Sequence, residues 1–234
     1  MAIIKMGALA QDVRGTLNGT VFSRNRGGAY VRSKVSPVQP LTDFNGMSRA
    51  IFGAISQRWS NTLTDAQRAG WEAFAAVHTF VNIFGDQIVL GGIAFYQAAN
   101  RRIMQVGGDY VDTAPPGWDV ADMGSCVVAA HVTTGALATF TVTIGRPLLY
   151  GEGLYVFGTP PLLGARSVQK NDLRLVNTPV SGTFTSGENI HVEYAARFAP
   201  LVWAAGDRFA VRVAVLNEDT GAISSPVLVN GVVT

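Results

Sequence analysis

The first pattern along the chain is a pair of short apolar runs that predicts a β-hairpin. Residues 21–24 and 29–35 flank a turn at 25–28, Asn-Arg-Gly-Gly, whose asparagine and glycines tolerate the positive φ angles of a tight turn. If Arg24 pairs with Ala29, the side chains separate into two sets, because neighbours along a strand point to opposite faces.

The two faces of this hairpin differ in character. Phe22 faces Val31 on one side, which is apolar. The other side is basic and carries the residues Val21, Ser23, Tyr30, Arg32 and Lys34. Prolines at positions 37 and 40 end the pairing and predict an extended linker. A hairpin of this size buries too little apolar surface for a core, so we expect it to pack against something else, with another protein chain as a candidate.

Apolar side chains at three- and four-residue spacing predict two helices in the next segment. The first is capped by Thr42 or Asp43 and carries the apolar series Phe44, Met47, Ile51, Ile55 and Trp59. The second begins at a capping box of Thr64 and Gln67, and its apolar face consists of Trp71, Phe74 and Val77 or His78. Two consecutive helices with a short connection make an αα-hairpin.

The segment that follows is predicted to change from helix to strand and back. Residues 80–90 are typical of a β-hairpin with its turn at Gly85-Asp86, and residues 93–106 of a third helix. Two prolines and a glycine at 113–117 then end the helical periodicity. We place the domain boundary there.

From Cys126 onward the apolar residues alternate with polar ones, which predicts strands. The clearest series are Ala138, Phe140, Val142 and Ile144; Ile190, Val192 and Tyr194; and Phe209, Val211, Val213 and Val215. About seven short strands fill this part of the chain, as in an immunoglobulin-like or fibronectin-like sandwich. The Cys–Trp–Cys pattern of antibody domains is absent, so the sequence predicts only the architecture.

Together these patterns predict an α+β fold: an N-terminal β-hairpin and a helical region, made of an αα-hairpin and a third helix, followed by an all-β immunoglobulin-like sandwich. The predicted domains are an N-terminal arm at 1–41, a helical anchor region with a short β-hairpin at 42–112, and the sandwich at 119–234. The composition agrees, since 26 glycines and only 15% charged residues suit a turn-rich β protein, and 48% hydrophobic residues can supply its cores.

Several of these segments resemble a poorly characterised family from phages, prophages and phage-rich bacterial genomes, whose members are described as virion structural proteins or have no assigned function. The resemblance lies in the opening MAIIK, the stretch GTLNGTVFSRNRGGAYVRSKVSPVQP, the helix LTDAQRAGWEAFA and the ending VRVAVLNEDTGAISSP. It covers the first half of the chain well and the second half only in pattern. It implies a structural role in a virion and no catalytic residue.

The formal net charge of +2 is too small to imply nucleic acid or a membrane surface, but the charges are unevenly distributed. Residues 1–58 carry eight Lys or Arg against two Asp, whereas residues 119–234 carry seven Lys or Arg against nine Asp or Glu. A single cysteine, Cys126, excludes an internal disulfide and fits cytoplasmic synthesis. We expect no secretion signal and no membrane span, since no apolar run approaches the roughly 18–20 residues needed.

The sequence offers no recognisable catalytic or metal-binding constellation, and we expect neither an enzymatic activity nor a cofactor. His78, His131 and His191 lie on three different predicted elements, without a carboxylate at helical spacing. Glu188 and Glu193 point to opposite faces of a predicted strand and cannot act as a carboxylate pair. No P-loop, nucleophile elbow or dinucleotide fingerprint is present.

The candidate partner-binding site is the basic part of the N-terminal hairpin, with the residues Arg24, Arg26, Tyr30, Arg32 and Lys34. We favour docking onto carboxylates of another protein. Two alternatives fit the same residues: a face that is simply exposed to solvent, and a surface that binds phosphates and stacks bases. The low net charge disfavours nucleic acid.

The expected function is that of a non-enzymatic structural protein in the virion of a tailed bacteriophage, synthesised in the host cytoplasm. Its N-terminal region would anchor it to other virion proteins of the capsid, neck or tail, and particle symmetry would make it a homo-oligomer. The alternative is a module that binds a host-surface carbohydrate or receptor. Its stacking platforms would come from Trp118, Tyr150, Tyr155 or Trp203.

Overall fold

The computed structural model describes the chain over residues 2–4, 12–25, 27–36, 38, 43–81, 84–133, 136–162, 172–176 and 188–234. These residues form helices and antiparallel sheets, which confirms the predicted α+β class. They group into two compact units, one of residues 1–97 with 112–114 and one of residues 98–111 with 115–234. One passage between the units, after Ala114, falls within the predicted boundary at 113–117, and the third helix is shared between the units because another passage follows Gln97.

The first unit contains a four-stranded antiparallel sheet in the order β1-β4-β3-β2. Arg24 pairs with Ala29 and Phe22 with Val31, so the predicted hairpin and its register are confirmed. The hairpin does not stand alone, because one further strand pairs with each of its edges. The strands are β1 Ala2–Ile3, β2 Gly15–Leu17, β3 Thr20–Asn25 and β4 Gly28–Ser33.

The helical part of the first unit agrees closely with the sequence pattern. Thr64 Oγ1 accepts a hydrogen bond from the Gln67 amide at 3.2 Å, and Gln67 Oε1 accepts one from the Thr64 amide at 2.9 Å, which confirms the capping box. The elements are α1 Asp43–Asn61, α2 Asp65–Val77, the paired strands β5 Thr79–Val81 and β6 Gln87–Val89, and α3 Gly92–Gln105. Only Gly92–Gln97 of α3 belong to this unit.

Aromatic side chains fill the core between these helices. The rings of Trp71 and Tyr96, both fully buried, meet edge to face with centroids 5.6 Å apart. At the end of α2, His78 stacks on Phe74 at 4.0 Å, whereas Val77 is exposed. The sequence left open whether Val77 or His78 ends the apolar face of α2, and His78 is the one that packs on its neighbours.

Asp112 ties the helices of the first unit together. Its carboxylate accepts two hydrogen bonds from the Arg58 guanidinium, at 2.8 and 2.6 Å, and one from the Tyr96 hydroxyl at 3.2 Å. Its carbonyl oxygen accepts a bond from Trp71 Nε1 at 2.9 Å. The hydrogen bonds from Arg58 lower the pKa of the Asp112 carboxyl, with a smaller opposing effect from burial.

We expect Asp112→Asn to destabilise the protein by about 1–2 kcal/mol, between the values typical of exposed and of buried charged hydrogen bonds. Because folding lowers the pKa of Asp112, its contribution is complete above the pKa of an unfolded aspartate and is lost as the pH falls through the folded value. Urea unfolding at several pH values checks both statements. As a control, Asp65→Asn removes only an exposed ion pair with Arg68 and should cost no more than about 0.5 kcal/mol. Equal losses for the two variants would contradict the prediction.

The second unit contains two antiparallel sheets that share one apolar core. Residues from both sheets, including Phe140, Val156, Phe209 and Val213, are buried together in this core. The arrangement is that of a β-sandwich. One sheet has the order β10-β9-β12-β13 and the other the order β11-β8-β7, with the strands β7 Cys126–Thr133, β8 Ala136–Ile144, β9 Glu152–Gly158, β10 Arg174–Val176, β11 Glu188–Asn189, β12 Arg208–Asn217 and β13 Val227–Val232.

One predicted strand of the sandwich is wrong. Ile190, Val192 and Tyr194 do not alternate along a strand, because residues His191–Phe198 form helix α4. The buried residues recur every four positions, at Ile190, Tyr194 and Phe198, and Val192 is 61% exposed. A three-residue alternation cannot distinguish a strand from a helix whose buried face has this spacing.

The end of α3 packs on the outer face of the sandwich sheet β10-β9-β12-β13, the face that points away from the core between the two sheets. Val106, directly after this helix, joins a second apolar cluster with Tyr155, Leu175, Ala214 and Leu216 of the sheet. The Tyr155 hydroxyl donates a hydrogen bond of 2.7 Å to Gln105 Oε1. This cover explains why residues 98–111 belong with the sandwich.

Gly221 and α3 approach each other closely. A Cβ on Gly221 would lie 2.5 Å from Ala99 Cα, and the residue has a φ of 70°, so only glycine fits there. Arg102 donates a hydrogen bond of 2.9 Å to the Gly221 carbonyl from the same helix. The turn after β12 is therefore fixed against α3.

Candidate partner-binding surfaces

The register of the N-terminal sheet sorts its side chains onto two faces, because directly paired residues of antiparallel strands share a face. Val21 pairs with Arg32, and Tyr30 pairs with both Ser23 and Ile3. Lys34 follows Arg32 by two positions and continues the same row. We call this surface the basic face and define it by the residues Ile3, Val21, Tyr30, Arg32 and Lys34.

Arg24 does not lie on the basic face. It pairs with Ala29, in the same row as Phe22 and Val31, and therefore lies on the opposite, apolar side of the sheet. Leu17 of the edge strand shares that side, since it pairs with Thr20, and it is 68% exposed. Of the five candidate site residues, the structure brings together Tyr30, Arg32 and Lys34, and it separates Arg24 from them. The fifth, Arg26, lies outside the described residues.

None of the N-terminal sheet's residues of described burial is fully buried. In the strands β1 to β4, every residue whose burial is described is half-buried or exposed. Arg32 and Lys34 are exposed, and within the described ranges no carboxylate forms an ion pair with either of them. The basic face thus presents two solvated cations beside an aromatic ring and two aliphatic side chains.

The structure removes two of the four proposed sugar-stacking platforms. Tyr155 and Trp203 are only 8% and 2% exposed and cannot stack on a ligand. Trp118 is half-buried, with the Arg102 guanidinium 5.6 Å from its ring centre. Tyr150 alone is open, at 91% exposure.

A surface that the sequence reasoning missed surrounds Tyr150. Leu149 beside it is 63% exposed, and Gly151 accepts a backbone hydrogen bond of 2.8 Å from the Glu218 amide. The Asp219 carboxylate lies against the same glycine, because a Cβ on Gly151 would be 2.8 Å from Asp219 Oδ2. We call Leu149, Tyr150, Glu218 and Asp219 the turn patch.

The turn patch is acidic. Burial, together with the neighbouring charge of Asp219, raises the pKa of Glu218. No lysine or arginine among the described residues forms an ion pair with either carboxylate. The sequence signal was the asparagine-led turn Asn-Glu-Asp-Thr-Gly, in which the Thr220 amide donates to Asn217 Oδ1 at 3.0 Å.

The histidines do not form a site. His78 ends α2, His131 lies on β7 and His191 begins α4. In the part of the chain that the structure describes, no three His, Cys, Asp or Glu side chains are grouped as metal ligands would be. Glu188 and Glu193 lie on different elements, β11 and α4, rather than on one strand.

Comparison of the chain with family models, with curated proteins and with solved structures finds no match. Over the described residues, no helix combines the length and the hydropathy that a membrane span requires. The function is therefore inferred from the two surfaces, the basic face and the turn patch, and from the resemblance of the N-terminal segment.

Proposed function

We propose that this protein is a non-enzymatic structural subunit of a virion, that of a tailed bacteriophage, and that it docks on neighbouring subunits through the basic face. The observation that carries the proposal is a four-stranded sheet in which every side chain of described burial is half-buried or exposed. A small sheet of this kind gains further apolar burial by packing on a partner. The resemblance of residues 15–40 to phage virion proteins supports the setting.

The chemistry of the basic face suits a protein partner. Arg32 can bind a carboxylate with two parallel hydrogen bonds, and Lys34 adds a second positive charge in the same row. Tyr30 contributes apolar area together with a hydroxyl group, a combination that is enriched at interfaces. In a particle, symmetry repeats such a contact many times, so a modest affinity for each copy is sufficient.

Limited proteolysis with trypsin tests this proposal. We expect cleavage after Arg32 and Lys34 in the free chain, because a sheet without a buried core opens at low cost, and protection of both sites in the assembled particle. Arg58 is the internal control, since its bond to Asp112 should protect it in both states. Equal protection of Arg32 and Lys34 in the free and the assembled protein would contradict the proposal.

A further inference from the structure

The basic face and the turn patch have complementary properties. The basic face has two exposed cations, Arg32 and Lys34, and the turn patch has two carboxylates, Glu218 and Asp219. Each surface also has apolar side chains beside its charges: Val21 and Tyr30 of the basic face are half-buried, and Tyr150 of the turn patch is 91% exposed. Neither set of charges has a counter-ion among the described residues.

We infer that the partner of the basic face is a second copy of this chain, which binds through its turn patch. The inference rests on the proposed docking role of the basic face and names its occupant. Arg32 and Lys34 of one copy pair with Glu218 and Asp219 of the next, while Tyr30 and Val21 cover Tyr150 and Leu149. A specific interface needs apolar area to bury and charges that complement each other, and these two surfaces offer both.

The contact joins two different surfaces of the chain. The basic face belongs to the first compact unit and the turn patch to the second, so the two surfaces of a contact come from different parts of the two chains. A pair held by one such contact leaves one basic face and one turn patch free, and further copies can add to form a ring or a helical array. A pair that makes the contact twice is closed by a two-fold axis.

Charge exchange between copies tests the inference. One full-length variant carries Arg32→Glu and Lys34→Glu, and the other carries Glu218→Lys and Asp219→Lys. Each alone should associate at least about thirty-fold more weakly than the wild type, as measured by sedimentation at low salt, because like charges then meet at every contact. An equimolar mixture should regain association. The reversed basic face of the first variant, now acidic, then meets the reversed turn patch of the second, now basic. Two defective variants that stay defective when mixed would overturn the inference.

Zero-length cross-linking identifies the contact directly. A carbodiimide joins a lysine amine to a carboxylate only when the two touch, and the chain has Lys34 on the basic face. In a mixture of ¹⁴N- and ¹⁵N-labelled wild-type chains, we expect a peptide that links Lys34 of one label to Glu218 or Asp219 of the other. Links confined to one label, or links from Lys34 to other residues only, would overturn the inference.

The docking role of the basic face and the identity of its partner fail in different experiments. If Arg32→Glu with Lys34→Glu prevents assembly into particles but no link between Lys34 and the turn patch forms, the docking role stands and the second copy is the wrong partner. If the same variant assembles normally, the docking role itself fails. A link from Lys34 to a different virion protein also overturns the inference of a second copy.

Discussion

A fragment that begins at Ala98 should fold by itself, whereas one that begins at Asp119 should be molten or aggregate. The shorter fragment retains both sheets of the sandwich but loses Gln105 and Val106. These two residues cover the outer face of the sheet β10-β9-β12-β13. It would expose Tyr155, Leu175 and Leu216. At about 1.5–3 kcal/mol for each large apolar side chain, the loss of about 4.5–9 kcal/mol for the three is comparable to the whole stability of a domain of this size.

Circular dichroism and thermal unfolding of the two fragments check this prediction. The fragment 98–234 should show one cooperative transition, and the fragment 119–234 should bind a hydrophobic dye without one. A matched control is Tyr155→Phe in the longer fragment, which removes the bond to Gln105 but keeps the apolar cover. It should retain the cooperative transition. If residues 119–234 unfold cooperatively by themselves, the cover by α3 is dispensable and the boundary at 113–117 is the better one.

Local signals in this sequence predicted local structure well. The capping box at Thr64 and Gln67 fixes the start of α2 through bonds between residues three apart, so no distant contact is needed. The pairing of Arg24 with Ala29 follows likewise from the short turn that joins β3 to β4. The turn Asn18-Gly19 carries a hairpin signal as well, and it joins β2 to β3, a pairing beyond the predicted hairpin.

Contacts between residues far apart in the sequence could not be predicted in this way. No local pattern shows that Gln105 and Val106, at the end of α3, pack on the outer face of the sheet β10-β9-β12-β13. The turn patch likewise depends on Gly151 meeting Glu218 and Asp219, which only the tertiary fold brings together. At α4, the sequence fits both a short alternation and the helical spacing of Ile190, Tyr194 and Phe198, and the fold adopts the helix.

Reversing the charges of the basic face should prevent incorporation of the protein into particles. In the free chain Arg32 and Lys34 are exposed, so Arg32→Glu with Lys34→Glu should change the stability by no more than about 0.5 kcal/mol. At an interface, the same change places carboxylates against carboxylates. The loss of a buried charge pair typically costs about 2–5 kcal/mol, roughly thirty-fold or more in affinity.

Salt and nucleic acid separate this prediction from phosphate binding. A face that binds phosphates should retain DNA or RNA, with an affinity that falls steeply with the logarithm of the salt concentration. Docking on a protein surface should give no such retention by the free chain. Retention on nucleic acid that disappears in the double variant would favour the nucleic-acid interpretation of the basic face.

The most direct test compares two arginines of one sheet. Arg32 lies on the basic face and Arg24 on the apolar side, both are exposed, and Arg32→Glu and Arg24→Glu change the net charge equally. The measurement is the amount of each variant in purified particles, relative to the soluble protein in the same cells. The account predicts that Arg32→Glu is depleted at least about tenfold more than Arg24→Glu. Equal incorporation of the two variants would contradict docking through the basic face.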